Sequence, residues 1–178
     1  MDKIPSAQTS EAPPFRDLIA EVVHKAGFSL YDIEYFPSKK LLRLYIFDAK
    51  TNNAQLSDCV LIDKMLTPYL DTDGVFPPSL TLEVSSPGVF RVLKTKEHFD
   101  LALNQWASFV MDKKWNWEKY PLIPKKIKNQ KKLRGKILSV REDDLTLEVY
   151  ESPSKMTKNY QIDVPYASIK RAQMDPDL

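Results

Sequence analysis

The sequence predicts an α+β protein: an N-terminal α-β-β-α-β two-layer domain over residues 15–93, followed by a small β-barrel domain over 94–178. Three observations carry this reading. Helix-period and strand-period apolar patterns alternate in the first half, short strand-like runs succeed one another in the second, and 178 residues leave room for two separate cores. Apolar residues at 43% and charged residues at 28% place the chain in the ordinary globular range.

Residues 1–14 mix Ser, Thr, Ala and Pro with Asp2, Lys3 and Glu11 and read as a disordered tail, with no apolar stretch suited to a signal or an anchor. From there Phe15, Leu18, Ile19, Val22, Val23 and Ala26 recur every three or four residues, which sets them on one helix face, with Pro13-Pro14 suiting the start and Gly27 the end. Phe28 to Phe36 and Leu41 to Asp48 read as two strands joined by a hairpin through Pro37-Ser38-Lys39-Lys40. A second helix follows, with Ser57 as cap, Leu56 as staple and Cys59, Ile62, Leu66 and Tyr69 along one side. Pro68 is expected to bend or end it. After the Asp73-Gly74 turn, alternation of Leu80, Leu82 and Val84 gives a third strand, completing a small sheet with helices on one face.

In the second half Thr95 caps a short helix reaching about Leu103. Five strand-like runs come next: Trp106 to Met111, Leu133 to Val140, Leu145 to Tyr150, Tyr160 to Val164 and Ile169 to Gln173. Arg141 to Asp144 reads as a hairpin turn and Pro165 to Ser168 as a single helical turn before the last strand, the pattern of an SH3-like or Sm-like barrel.

Several function classes are excluded by composition. The four glycines, Gly27, Gly74, Gly88 and Gly135, lie too far apart to form a dinucleotide-type or Walker phosphate loop. One cysteine forbids an intrachain disulfide and suits a reducing cytoplasm, and two histidines leave a typical zinc site short of ligands, so neither metal nor cofactor is expected. Cys59 falls in an apolar helical series with nothing nearby to activate it, Ser85 lacks an activating partner, and His24 and His98 read as surface or cap residues. Glu142-Asp143-Asp144 reads as a solvated turn. No catalytic residue is assigned. No apolar run is long enough to span a membrane, so a cytoplasmic protein is expected.

The net charge of +2 hides a strong asymmetry: residues 113–141 hold eleven Lys/Arg against Glu118 alone, leaving the rest of the chain at −8. Within that stretch the expected insertion 113–132 interleaves Lys113, Lys114, Lys119, Lys125, Lys126, Lys128, Lys131 and Lys132 with Trp115, Trp117 and Tyr120, and Arg134 follows. Lysines there can neutralise phosphates, and the rings can stack on exposed bases. The competing reading is an extended hairpin whose aromatics pack on the barrel and whose lysines are merely solvated.

The block Leu82-Glu83-Val84-Ser85-Ser86-Pro87-Gly88, with Arg91 and Leu93-Lys94-Thr95 after it, has the residues of a rigid turn, Pro87-Gly88 supplying the φ values of a type II turn. Ser85, Ser86, Pro87, Gly88 and Arg91 are accordingly assigned to an interdomain junction, with Arg91 and Lys94 as alternative phosphate contacts. This block is similar to the signature of the bacterial ribosome maturation factor RimP family, also known as YhbC-like. Gly27 to Tyr35, Leu42 to Phe47, Ser57-Asp58-Cys59 and Val164 to Ala172 extend the resemblance over roughly Phe15 to Met174. Phe90 and Val92 depart from the acidic residue and proline that usually flank the arginine, and 113–132 is longer and more basic than the usual connection. The resemblance implies a non-catalytic, monomeric factor that assists small ribosomal subunit assembly by binding the immature subunit, through rRNA and a small-subunit ribosomal protein. The alternative is a ring-forming Sm-like regulator of small or messenger RNA.

Overall fold

The computed structural model describes residues 13–51, 53–112, 115–152 and 157–176. The expected tail lies outside the described residues up to residue 12. The described chain forms two compact units that divide between Gly88 and Val89, earlier than the expected limit at residue 93. Val92-Leu93 is built into the second unit as a strand.

The first unit begins with α1 (Arg16–Lys25), which buries Ile19, Val22 and Val23. Its end is a Schellman motif: Gly27 N–H donates to the His24 carbonyl at 2.9 Å and Phe28 N–H to that of Val23 at 3.1 Å. Gly27 sits at φ +86°, where a side chain is disfavoured. β1 (Ser29–Phe36) and β2 (Leu41–Phe47) pair antiparallel around a 3-10 turn at Pro37–Lys39, with Lys40 left-handed at φ 47°. β3 (Thr81–Ser85) runs parallel to β2, a pairing that needs a long crossover, and α2 (Leu56–Leu70) supplies it. The order β1-β2-β3 makes β2 central. Its alternate residues Leu42, Leu44 and Ile46 are fully buried and share one core with Ile19, Val22, Val23, Cys59, Ile62 and Leu66 of the two helices. Phe15 and Phe76, with ring centroids 4.7 Å apart, belong to the same core. The intervening residues form a charged cross-strand row, with Arg43 Nε 2.7 Å from Glu83 and its NH1 3.6 Å from Glu34.

α2 differs from expectation at both ends. Its cap is Gln55, not Ser57: the Gln55 N–H donates to the Asp58 carboxylate at 2.8 Å and the Gln55 side chain accepts in return, a reciprocal capping box one turn wide. Leu56 is thereby the first helical residue and 81% exposed, so it staples nothing. Pro68 is accommodated in the last turn rather than ending the helix; its ring lies on the exposed side, where water can satisfy the carbonyl that loses an N–H partner. Tyr69 lies outside the buried stripe.

The second unit comprises β4 (Val92–Leu93), α3 (Lys96–Asp100), β5 (Trp106–Met111), α4 (Lys125–Lys128), β6 (Leu133–Val140), β7 (Asp144–Ser152), β8 (Thr157–Pro165) and β9 (Ile169–Met174). All five expected strands form, and Tyr166–Ser168 is the expected single turn, of 3-10 type. Thr95 caps α3 as expected by accepting from His98 N–H. His98 is buried and serves as a cap residue, the second of the two places expected for it: its Nδ1 accepts from Lys94 N–H at 3.0 Å at the start of α3. The strands make one antiparallel six-stranded sheet in the order β4-β9-β5-β6-β7-β8. Among the described residues no ladder joins β4 to β8, so the sheet has two edges where a closed barrel was expected. Phe99, Phe109, Ile137, Leu145, Leu147, Val149 and Val164 fill its core. Among the described residues no helix is long and apolar enough to cross a membrane.

Gly135 carries a packing constraint. A Cβ there would stand 3.1 Å from the Glu148 carbonyl oxygen and 3.1 Å from a Val149 methyl on the neighbouring strand. Gly135→Ala is expected to lower stability by about 1–3 kcal/mol, read as a drop in the urea midpoint with unchanged slope, and Gly135→Val by more.

Candidate nucleic-acid interface

The basic stretch is anchored, not free. Ile123 and Ile127 are buried in the second core, at 5% and 1% exposure, and pull the chain onto the sheet on either side of Pro124. α4 is a single turn that ends at Asn129, so Lys125, Lys126 and Lys128 fan out from a fixed point. Lys119, Lys125, Lys126, Lys131 and Lys132 are exposed and Lys128 is half-buried. Lys113 and Lys114 lie outside the described residues. The signal for this anchoring was two isoleucines four residues apart among lysines.

The aromatics of this stretch pack on the sheet. Trp115, Trp117 and Tyr120 are only partly exposed and lie against the second core, Trp115 edge-on to Trp117 at 5.6 Å and stacked with Tyr120 at 6.2 Å. The Tyr120 hydroxyl donates to the Asp163 carbonyl at 3.0 Å and accepts from the Asp163 N–H at 2.8 Å. It therefore satisfies two backbone groups on the outer edge of β8, which would otherwise be open to pairing with another strand. These three rings serve the fold first, as the packing alternative expected.

The two arginines of the stretch are paired with carboxylates. Arg134 donates to the Asp175 carbonyl at 3.0 Å, stands 3.5 Å from the Asp175 carboxylate and covers the Trp106 ring at 4.5 Å. Lys136 stands opposite Glu148 in the β6–β7 register, but the Glu148 carboxylate is taken by Tyr150 and Asn159. Arg141 bonds Asp144 at 2.5 Å and Asp163 at 2.6 Å, and these carboxylates hold its guanidinium firmly protonated. Asp144 is therefore a partner of Arg141 as well as part of the expected solvated turn. By contrast, among the described residues no carboxylate lies within ion-pair distance of Lys119, Lys125, Lys126, Lys128, Lys131 or Lys132. These six side chains are a run of uncompensated cations within fourteen residues of the second unit.

The junction residues fall on both sides of the division between units. Ser85 ends β3, and the Ser86 hydroxyl accepts from Gly88 N–H at 3.1 Å and donates to the Asn53 side chain at 3.1 Å. A serine hydroxyl thus organises the bend at Pro87-Gly88, with Gly88 at φ +73°. Arg91 is buried in the second unit, and its carbonyl accepts from Met174 N–H at 2.9 Å. Cys59 is buried on α2; burial first and the neighbouring Asp58 second push its thiol pKa up, away from the thiolate a nucleophile needs. Among the described residues no group of three or more His, Cys, Asp or Glu is placed to hold a metal ion.

Residues 18–90 match the family model described as the RimP N-terminal domain. The match runs from within α1 through β3 and the Ser-Ser-Pro-Gly bend, and it bears out the RimP-family resemblance over that part of the chain.

Tyr120→Phe removes the hydroxyl that serves both Asp163 backbone groups; it is expected to cost about 1–2 kcal/mol in urea unfolding and to increase self-association in sedimentation. Asp163 has its carboxyl pKa lowered by the hydrogen bond from Thr146, then by Arg141. A lowered folded-state pKa gives stability that is present above the unfolded-state value and is lost as pH falls through the folded one. The wild type should therefore lose thermal stability below about pH 4 more steeply than Asp163→Asn.

Proposed function

We propose that this chain, whose first unit carries a RimP N-terminal domain, is a non-catalytic ribosome maturation factor that binds the immature small ribosomal subunit in the cytoplasm and assists its assembly. The single observation that carries this reading is the match over residues 18–90. In it the protein acts as a monomer without cofactor or metal, meeting rRNA through the second unit and a small-subunit ribosomal protein elsewhere, and the six-stranded sheet is a coiled Sm-like barrel left open between its edge strands.

Anchored, uncompensated lysines support the rRNA part. Each phosphate they neutralise releases counterions, so binding is strong in dilute salt and weak in concentrated salt, which suits a factor that must leave. Arg141, engaged at home, steadies the surface instead of reading the partner. A ring-forming Sm-like regulator is less well supported, since a ring built by strand pairing needs free strand edges and the Tyr120 hydroxyl occupies part of the β8 edge.

Replacing Lys125, Lys126, Lys128, Lys131 and Lys132 with Gln should weaken co-sedimentation with precursor small-subunit particles. It should also flatten the log-log salt dependence by roughly 0.9 for each phosphate left unneutralised, if the duplex-DNA value carries over. An unchanged slope removes the lysine surface from the proposal; wild-type protein that ignores immature particles even in dilute buffer overturns the proposal itself.

A further inference from the structure

We propose that the outer face of the six-stranded sheet, around Trp106, Arg134 and Tyr150, is a stacking platform for unpaired bases of single-stranded RNA. The inference rests on the reading that the second unit engages rRNA, and it specifies which kind of RNA and by which surface.

Strand alternation puts these residues opposite the core. Ala107, Phe109, Leu133, Ile137, Leu147 and Val149 point inward, and the pairing Trp106↔Lys136 and Ser108↔Arg134 turns Trp106, Arg134 and Lys136 to the other side. Trp106 and Tyr150 lie there together, ring centroids 5.4 Å apart and tilted by 47°. The Arg134 guanidinium covers the indole at 4.5 Å.

Each member is held before any ligand arrives. Arg134 is fixed by both the carbonyl and the carboxylate of Asp175, and the Ser108 hydroxyl donates to the same carboxylate. The Tyr150 hydroxyl donates to Glu148 at 2.6 Å, and Asn159 donates to the other oxygen of that carboxylate at 2.7 Å. Little side-chain freedom is left to lose on binding.

Planar groups set beside cations match the two needs of an unpaired strand: a flat surface for bases, whether ring or guanidinium plane, and positive charge for phosphates. Lys136 supplies charge on this face: it stands opposite Trp106 across the β5–β6 ladder and, among the described residues, has no carboxylate within ion-pair distance. Among the described residues, none of the large exposed apolar side chains lies on β5, β6, β7 or β8, which favours a nucleic acid over a protein as occupant. Duplex RNA keeps its bases stacked inside and has nothing to offer the rings.

The test uses the full chain and fluorescence anisotropy with two labelled probes, a single-stranded RNA of about ten nucleotides and a perfect RNA duplex. Trp106→Ala should weaken single-strand binding about tenfold, leave its salt slope unchanged and leave the duplex unaffected, while Trp106→Phe recovers most of the loss. Tyr150→Ser, at a partly exposed position, should act in the same direction and carries the test should Trp106→Ala fail to fold. If both variants bind the single strand as well as wild type while the lysine variant loses binding, the platform is wrong and the rRNA reading stands. Wild-type protein that binds neither probe overturns both. Loss of binding to ribosomal particles with naked RNA binding intact shows that the face meets a protein and overturns the platform.

Discussion

Burial of Ile123 and Ile127 in the second core is the interaction on which the rest of the candidate interface depends. A connection so rich in lysine repels itself, and if unanchored it would be a mobile polycation whose ordering on any partner costs entropy. Two isoleucines set against the sheet offset that repulsion, since each fully buried side chain of this size contributes about 1.5–3 kcal/mol. Trp115, Trp117 and Tyr120 add packing in the same place, and the Tyr120 hydroxyl ties the segment to the β8 backbone. The lysines between and beyond these anchors are left pointing outward on a framework fixed by apolar burial.

Pairing then decides which cations count. Of the eleven basic side chains between 113 and 141, Arg134 and Arg141 sit on a strand or at a strand end, where carboxylates of neighbouring segments meet them. The described lysines of the anchored connection meet none. Sheet registry thus sorts arginine into structure and leaves lysine at the surface. The sorting suits the side chains: guanidinium donates in several directions to fixed acceptors and stacks on rings, whereas ammonium acts as a mobile point charge toward phosphate.

Much of this fold was legible because its signals are local. Strand alternation at Leu42, Leu44 and Ile46 and the helix spacing from Phe15 to Ala26 act within a few residues, and each is found as read. Misreadings arose where a competing or distant partner decides. Ser57 is an acceptable cap, but Gln55 forms a reciprocal pair with Asp58 and wins. For His98 the sequence left surface and cap both open, and packing decides for a buried cap that accepts the Lys94 N–H. Val92-Leu93 is too short to show a period and becomes a strand only because β9 offers it an edge. Within the candidate site, charge density was visible from composition, whereas the division into engaged arginines and uncompensated lysines needed the cross-strand register. Trp106 and Tyr150 were invisible as a pair, being far apart in sequence and joined only by the sheet.

Charge placement and ring placement on the second unit draw on different physics, and their combination limits what the surface can hold. Coulomb attraction from the lysines extends over about 8 Å in physiological salt and does not distinguish duplex from single strand, so it recruits and loosely orients any polyanion. Stacking acts only at short range and only on bases that are not already paired. A surface that has both favours RNA still lacking its final pairing. As pairing proceeds the bases withdraw, the stacking contribution disappears, and only the salt-sensitive attraction remains. Under the proposed RNA-binding reading, progress of the RNA toward its folded form itself weakens the complex, and dissociation then needs no energy-consuming step from this chain.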